Sequence, residues 1–417
     1  MRSVKVLTMI LAGGVGERLY PLTARRSKPA VHFAGNFRII DFTLMNCVLG
    51  GLRRIHLLTQ YHSLSLGQHC SRRWHMLSPS LGEGIDLVPP KMRTSDGHYR
   101  GTADAIYQNL NLIKDARPHI VCIFGGDHIY RMDVSQMIQW HETKMADCTV
   151  AAIRVPIGEA SAFGVIEIDE DHRIIGFEEK PESPRAMPSD PDHALVSMGN
   201  YVFTGRSLVN VLMDDADDPN SSHDFGKDII PGRLSDQRIY CYDFANNRVP
   251  GHSGPNTYWR DVGTIEAFYD ANMDLREIVP DFNLYNRAWP IRSRRHDDPP
   301  AKFVHDVDNR TGQATNSIVC PGAILSGCTV RNSVIGRNVK LHSFAEVSDS
   351  IIFDDVEIGR GAQVNRAIID KNVRVAEGSS LGVEPGDDAV NHFTSKEGIV
   401  VVEKAPRLEA GIGTISI

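Results

Sequence analysis

Val6-Leu-Thr-Met-Ile-Leu-Ala-Gly13-Gly14-Val-Gly16-Glu-Arg18-Leu19 is an apolar run that stops at a cluster of glycines followed by an arginine. The stretch Val6–Leu11 has the make-up of a strand buried on both faces. With the basic opening before it, the run could pass for a secretory leader. It ends in Gly13-Gly14 with no small-x-small cleavage pattern, however, so a buried first strand is expected. Ile55–Thr59, Ile120–Phe124 and Thr149–Val155 read as strands of the same kind. Between the second and third of these, Ile106, Leu110 and Ile113 recur on one helix face and predict a helix over Thr102–Ala116. Another helix is expected from Asp133, with Gln136 three residues on completing a capping box. Strands alternating with helices predict an α/β unit. Its sheet should be mostly parallel, covered on both faces and doubly wound, with ligands at the carboxyl ends of the strands.

Downstream the period changes. Ile324, Val330, Ile335, Leu341, Val347, Ile352, Ile358, Val364, Ile369, Val375 and Leu381 follow one another at gaps of five or six, and the pattern repeats every 17 residues. No helical period fits such gaps. Three inward positions per coil describe a triangular prism of stacked short strands, a parallel β-helix of about four coils and of the hexapeptide-repeat type.

The 417 residues exceed what one core usually supports. An α/β domain over 1–275, a Pro-, Arg- and Asp-rich linker over 276–314 and a β-helix with a C-terminal tail over 315–417 are expected. The formal net charge of −7 excludes an extended nucleic-acid surface, which needs clustered Lys and Arg. Seven cysteines without a CxxC pair point to a reduced, cytoplasmic chain rather than a disulfide framework or zinc site. No segment approaches the roughly 20 apolar residues of a membrane span.

The glycines after the first strand let several backbone N–H groups approach a phosphate chain with no Cβ in the way. Arg18 would neutralise charge building on a leaving phosphate. No Gly-Lys-Ser/Thr follows, and Leu19 stands where a dinucleotide fingerprint has its third glycine, so neither of those loops is present. Instead Lys28-Pro29 comes ten residues after Arg18.

Other stretches follow in order: Phe37-Arg-Ile-Ile-Asp-Phe42, Tyr99-Arg-Gly-Thr-Ala-Asp-Ala105, Gly126-Asp-His-Ile-Tyr130, Glu178-Glu-Lys-Pro181, Ser197-Met-Gly199, Ser222-His-Asp-Phe-Gly-Lys-Asp228 and Tyr258-Trp-Arg-Asp-Val-Gly263. Together they resemble the bacterial ADP-glucose pyrophosphorylase (glucose-1-phosphate adenylyltransferase) family over nearly the full length. The resemblance implies a Rossmann-like doubly wound nucleotidyltransferase domain followed by a hexapeptide-repeat left-handed parallel β-helix. The activity implied is transfer of the adenylyl group of ATP to glucose 1-phosphate for glycogen synthesis, under allosteric control, by a cytoplasmic homotetramer.

By the same resemblance Arg18, Lys28 and Asp127 would be catalytic, and Gly13, Gly14, Gly16, Tyr99, Gly101 and Thr102 would hold the nucleotide. Asp127 and Asp261 would bind Mg²⁺, a cation that prefers oxygen ligands. Either aspartate alone reads equally well as a helix cap or a surface charge; the pairing favours the metal. Lys180 would hold the sugar phosphate as a point charge. Glu179, Ser197, Asp224 and Phe225 would line the glucose pocket, carboxylates and hydroxyl to the sugar hydroxyls and a ring to its apolar face.

The chain departs from the family at Lys91-Met-Arg93, where a Gln-Gln-Arg run usually reads the base. It departs again at Met45, at Asn200 where Ile is usual, and at Asn36 where Lys is common. Arg25, Arg26, His32 and Arg38, with Lys396 and Lys404 near the end, would make a site for an anionic metabolite effector. Three other readings compete: a UDP-, dTDP- or GDP-hexose pyrophosphorylase, a non-catalytic regulatory subunit, and an acyltransferase of the hexapeptide class.

Overall fold

The computed structural model describes residues 4–74, 77–90, 98–294, 296–304, 310–383 and 385–404; Lys91, Met92 and Arg93 lie outside them. The chain divides into two compact units. One comprises Met1–Gly14, Phe42–Trp259 and Asn286–Pro290, and the other Val15–Asp41, Arg260–Tyr285 and Ile291–Ile417.

The first unit is built on a nine-stranded sheet of β1 (Val6–Ala12), β2 (Arg54–Thr59), β3 (Gly84–Val88), β4 (Ile120–Gly125), β5 (Cys148–Pro156), β6 (Gly164–Ile168), β7 (Ile174–Glu179), β8 (His193–Thr204) and β9 (Ile239–Asp243). The order is β7-β6-β8-β4-β1-β2-β3, and β5 pairs with both β8 and β9. All four expected strands form. The run β4-β1-β2-β3 is parallel as expected. Around β8 the sheet turns antiparallel, because β8 runs against β4, β5 and β6. No crossover α-helix lies between β5 and β8; a short 3-10 helix, Ile157–Ala162, and the β6–β7 hairpin do, so the chain re-enters the sheet from the end at which it left. Leu7, Met9, Val121, Ile123, Val150 and Phe203 are among the fully buried side chains of the core under this sheet.

The helix expected over Thr102–Ala116 is two, Thr102–Tyr107 and Leu110–Ala116. The break is at Asn109, which is fully buried and donates its side-chain amide to the carbonyl of Ala105 at 2.9 Å. There the backbone bond tightens to Asn109 N–H on Ile106 C=O, as happens where a short polar side chain competes for the helix ladder. Asp133 caps the helix Val134–Thr143 through Ser135 N–H at 3.0 Å. The capping box is not reciprocal: Gln136 donates to the Asp133 carboxylate, while Asp133 N–H goes to Asn247.

In the second unit, among the described residues, three sheets stack coil on coil in five parallel rungs each, where about four coils were expected, and an antiparallel strand, Phe393–Thr394, closes the third. Val330 faces Val347 and then Val364 and Leu381; Ile335, Ile352 and Ile369 align, as do Leu341, Ile358 and Val375. The 17-residue step fails at both ends: at the last rung Ile369 faces Val402, and at the first the coil is short. Leu341 faces Leu325 rather than Ile324, and it is Leu325 that is buried, because the first coil is one residue shorter and a one-residue slip inverts the side-chain faces. Asn338, Asp355 and Asn372 turn successive corners at positive φ, which short amide and carboxylate side chains tolerate. All seven cysteines are buried. No helix among the described residues is long and apolar enough to cross a membrane.

Candidate functional site

At the carboxyl end of β1 the chain narrows into its glycine loop. A Cβ on Gly13 would stand 3.0 Å from the Cβ of Gln60, whereas one on Gly14 would meet nothing. Gly16 has φ +71°, and a Cβ there would press on Thr23 at 3.0 Å and on Lys28 at 3.1 Å, so this position requires glycine. Thr23 Oγ1 donates to the Gly16 carbonyl at 2.9 Å and fixes the turn.

In the first unit the stretch from Tyr99 to Thr102 docks on the 222–225 segment. A Cβ on Gly101 would lie 2.3 Å from the carbonyl oxygen of His223, which accepts from Ala103 N–H at 2.8 Å. Thr102 Oγ1 donates to Asp224 at 2.9 Å and accepts from Phe225 N–H at 3.0 Å. Tyr99 is half-buried, its hydroxyl accepting from Asn109 at 3.2 Å, and burial raises its pKa.

Glu179 sits under two glycines: a Cβ on Gly226 would lie 2.7 Å, and one on Gly164 2.8 Å, from its carboxylate. Next to it Lys180 has a positive φ and an exposed side chain whose Nζ is 3.3 Å from Glu179. Ser197 Oγ accepts from Gly199 N–H at 3.2 Å. Phe225 does not face outward: its ring is fully buried on Tyr201 and Phe203, at 5.3 and 5.5 Å between centroids. Position 225 contributes backbone instead, because the apolar ring finds its partners in the core. Tyr201 is what sequence reasoning missed. Burial first, and then the charges of Asp224 and Glu179, push its pKa up, against a hydrogen bond with Ser197. Its ring packs on Phe225, and its hydroxyl feels the charges of Asp224 and Glu179. A tyrosine in an apolar strand gives no sequence signal of this.

Asp127, just past β4, is about a third exposed, with His128 Nε2 at 3.5 Å. The His128 ring lies on Trp259, centroids 4.9 Å apart, and Asp261 is two residues beyond Trp259 on one short strand.

In the second unit Lys28 is buried, and its Nζ is 2.6 Å from Asp261 Oδ1. Arg18, largely exposed, reaches Asp261 Oδ2 at 3.5 Å. A Cβ on Gly263 would come to 3.0 Å from both Arg18 Nη2 and Asp261 Oδ1, so the glycine leaves the three charges room. Asp127 and His128 in the first unit, and Asp261 in the second, are each of a kind that could ligate a divalent ion. The oxygen donors suit Mg²⁺; the imidazole suits a softer metal better.

The second unit also gathers most of the expected effector residues. Arg25, Arg26 and Lys404 line one small cleft with Asp370 and Glu403. Arg26 holds Asp370 at 2.5 Å, both buried. Beside them Lys371 has its pKa pushed down to about 8, by burial first and then by the charges of Arg26, Arg38 and Lys404. His32 is directed elsewhere, toward Asp354 at 3.7 Å and the ring of Phe353. Lys396 is exposed on a turn.

A nucleotidyl transferase family model matches residues 7–278, and a GlmU-like C-terminal hexapeptide model matches 299–402. The latter agrees with a left-handed coil. A glucose-1-phosphate adenylyltransferase of Thermus thermophilus is 50% identical over 413 residues, covering 98% of this chain and all of that protein. One of Anaeromyxobacter dehalogenans is 50% identical over 411 residues, with 98% and 99% covered. Glucose-1-phosphate adenylyltransferase 1 of Vibrio vulnificus is 48% identical over 403 residues, with 97% and 99% covered.

Proposed function

The chain belongs to the glucose-1-phosphate adenylyltransferase family of nucleotidyl transferases, and we propose that it transfers the adenylyl group of ATP to α-D-glucose 1-phosphate, giving ADP-glucose and pyrophosphate. The single observation that carries this reading is the end-to-end match to such enzymes. The reaction joins two anions, since an oxygen of the sugar phosphate attacks the α-phosphorus in line with departing pyrophosphate. Its barrier is lowered chiefly by fixed positive charge.

In this reading the loop of Gly13, Gly14 and Gly16 lies along the triphosphate, and Tyr99, Gly101 and Thr102 border the nucleoside. Arg18, largely exposed, follows charge onto the leaving pyrophosphate. Lys28, buried against Asp261, is a rigid cation that needs no reorganisation. Mg²⁺ on Asp127 and Asp261 would neutralise phosphate oxygens. Lys180 exchanges Glu179 for the phosphate of the sugar. Glu179, Ser197 and Asp224 take the sugar hydroxyls, with the Tyr201 hydroxyl among them.

By this assignment 1–275 is the catalytic domain, 276–314 the linker, and 315–417 the β-helix with its tail. A cytoplasmic homotetramer feeding glycogen synthesis is part of the same reading. The cleft of Arg25, Arg26 and Lys404, with Arg38 and Lys371 close by, supports an anionic metabolite as effector. If Arg25→Ala left the response to every phosphorylated or carboxylate intermediate unchanged, that assignment would be wrong.

The test of the activity is pyrophosphate release from purified protein given glucose 1-phosphate, Mg²⁺ and, in turn, ATP, UTP, dTTP or GTP. ATP is expected to be preferred. No release with any nucleotide overturns the enzyme reading, and preference for UTP overturns the adenylyl one.

A further inference from the structure

Gly125 is the last residue of β4, two before Asp127, and both polar groups of its backbone are gripped by side chains. Its carbonyl accepts from Thr43 Oγ1 at 2.9 Å, and its N–H donates to Asn200 Oδ1 at 3.3 Å. Both side chains are fully buried. They come from separate elements, Thr43 from the helix Ile39–Leu49 and Asn200 from β8.

The sheet cannot make these bonds itself. The β8–β4 ladder runs from Thr204 opposite Ile120 to Tyr201 opposite Ile123 and stops. Gly199 then takes φ +68°, and the β8–β5 register shifts between Ser197 and Tyr201. Gly125 lies past the last pair, and the Asn200 amide stands in for the strand that has bent away. Bulges of this kind re-aim side chains beside active sites. A buried asparagine in a strand of apolar neighbours is costly unless it is bonded, and what it bonds is the approach to Asp127. The turn has little slack, since a Cβ on Gly125 would come to 3.1 Å from the His128 ring and 3.3 Å from Asp127 Oδ1. The next peptide is held too, because Gly126 N–H donates to Leu11 C=O at 2.9 Å.

We propose that Asn200 and Thr43 are positioning residues which, by clamping the Gly125 peptide, aim the Asp127 carboxylate at the divalent ion of the reaction. The inference rests on the adenylyl-transfer reading. Releasing either side of the clamp lets the peptide rotate and swings the carboxylate.

The experiment compares Asn200→Leu, Thr43→Val and Thr43→Ser with the parent protein. Mn²⁺ binding to the nucleotide-free protein is read by electron paramagnetic resonance, alongside kcat, the KM for glucose 1-phosphate and the half-saturating Mg²⁺. Leu at 200 and Val at 43 should each weaken Mn²⁺ binding by about 10-fold, in the range seen when groups supporting a metal ligand are removed. They should lower kcat and leave the KM for the sugar phosphate within about 2-fold, and Ser at 43, which keeps the hydroxyl, should behave as the parent. Thr43→Val is nearly isosteric and guards against a fold lost through Asn200→Leu. Parental Mn²⁺ affinity and kcat in both variants overturn the proposal, as does a Thr43→Ser protein as impaired as Thr43→Val. A parent protein that releases no pyrophosphate overturns the activity reading instead, and the Mn²⁺ affinities still decide on the clamp.

Discussion

In the β-helix Ile335, Ile352 and Ile369 lie one above the next, each fully buried, and backbone N–H groups bond from coil to coil. At the carboxyl end of the sheet the backbone is satisfied by side chains instead. Asn46 donates to Tyr130 C=O and accepts from Met132 N–H, Asn247 does the same for the two polar groups of Asp133, and Thr43 and Asn200 hold Gly125. The difference follows from what must happen at each place. A repeat can end each strand on the next one, whereas loops that part to admit a triphosphate leave the ladder behind. Buried amides and hydroxyls then replace it at about 1 kcal/mol of net stability apiece, but with fixed direction. A single atom lost from the coils should be felt mainly in stability, and one lost from the site mainly in rate.

The largest expected effect is at Lys28. Lys28→Ala removes the buried cation 2.6 Å from Asp261 and should lower kcat by about 10²–10³, the usual consequence of deleting one preorganised charge-stabilising donor. Removing one partner of a buried pair also costs stability, so rates are read well below the melting temperature of the variant. Initial rates of pyrophosphate release with a parallel melt check this, and a fall below 5-fold, or one explained by unfolding, breaks the contrast. The reverse case is Ile352→Ala in the middle of the stack. It should cost about 2–4 kcal/mol, the range for emptying a well-packed aliphatic site, with kcat at low temperature unaltered. Denaturant titration reads the first and initial rates the second; a comparable loss in kcat would show that the coils do more than support.

The same contrast explains what could be read in the sequence. The coils are legible almost residue by residue because their period is a geometric rule; the reading slips where the first coil is shorter and Leu325 replaces Ile324, and in the number of coils. The parallel strands and the glycine turn were legible for similar reasons. What periodicity could not carry was any bond between distant polar groups. Asn109 breaks a helix whose apolar face looked continuous, and Phe225 turns inward because Tyr201 and Phe203 wait there. Asn200 is in the sequence only a departure from the family's usual Ile, and its bond from Gly125 N–H exists only in the fold.

One corner of the β-helix gives the smallest effect. Between Ile369 and Val373 the turn carries Asp370 and Lys371, and Lys371 faces Arg26, Arg38 and Lys404, with Asp370 as the countercharge. Burial, then those three cations, bring its pKa down to about 8, whereas in the unfolded chain it is near the ordinary lysine value of about 10.4. Between these values the unfolded state binds more protons than the folded one, so stability rises with pH across that window, and below it the cost of the buried charge is fully present. Lys371→Met should therefore raise Tm at pH 7, by roughly 2–4 °C, and the gain should shrink toward pH 10. Melting curves from pH 7 to 10 check this, and a gain that does not vary with pH would mean that the lysine is not the group responsible. An anion seated among these cations would act in the opposite direction, favouring protonated Lys371 and drawing its pKa back up. With inorganic phosphate added at pH 7, the parent should gain more in Tm than the methionine variant does.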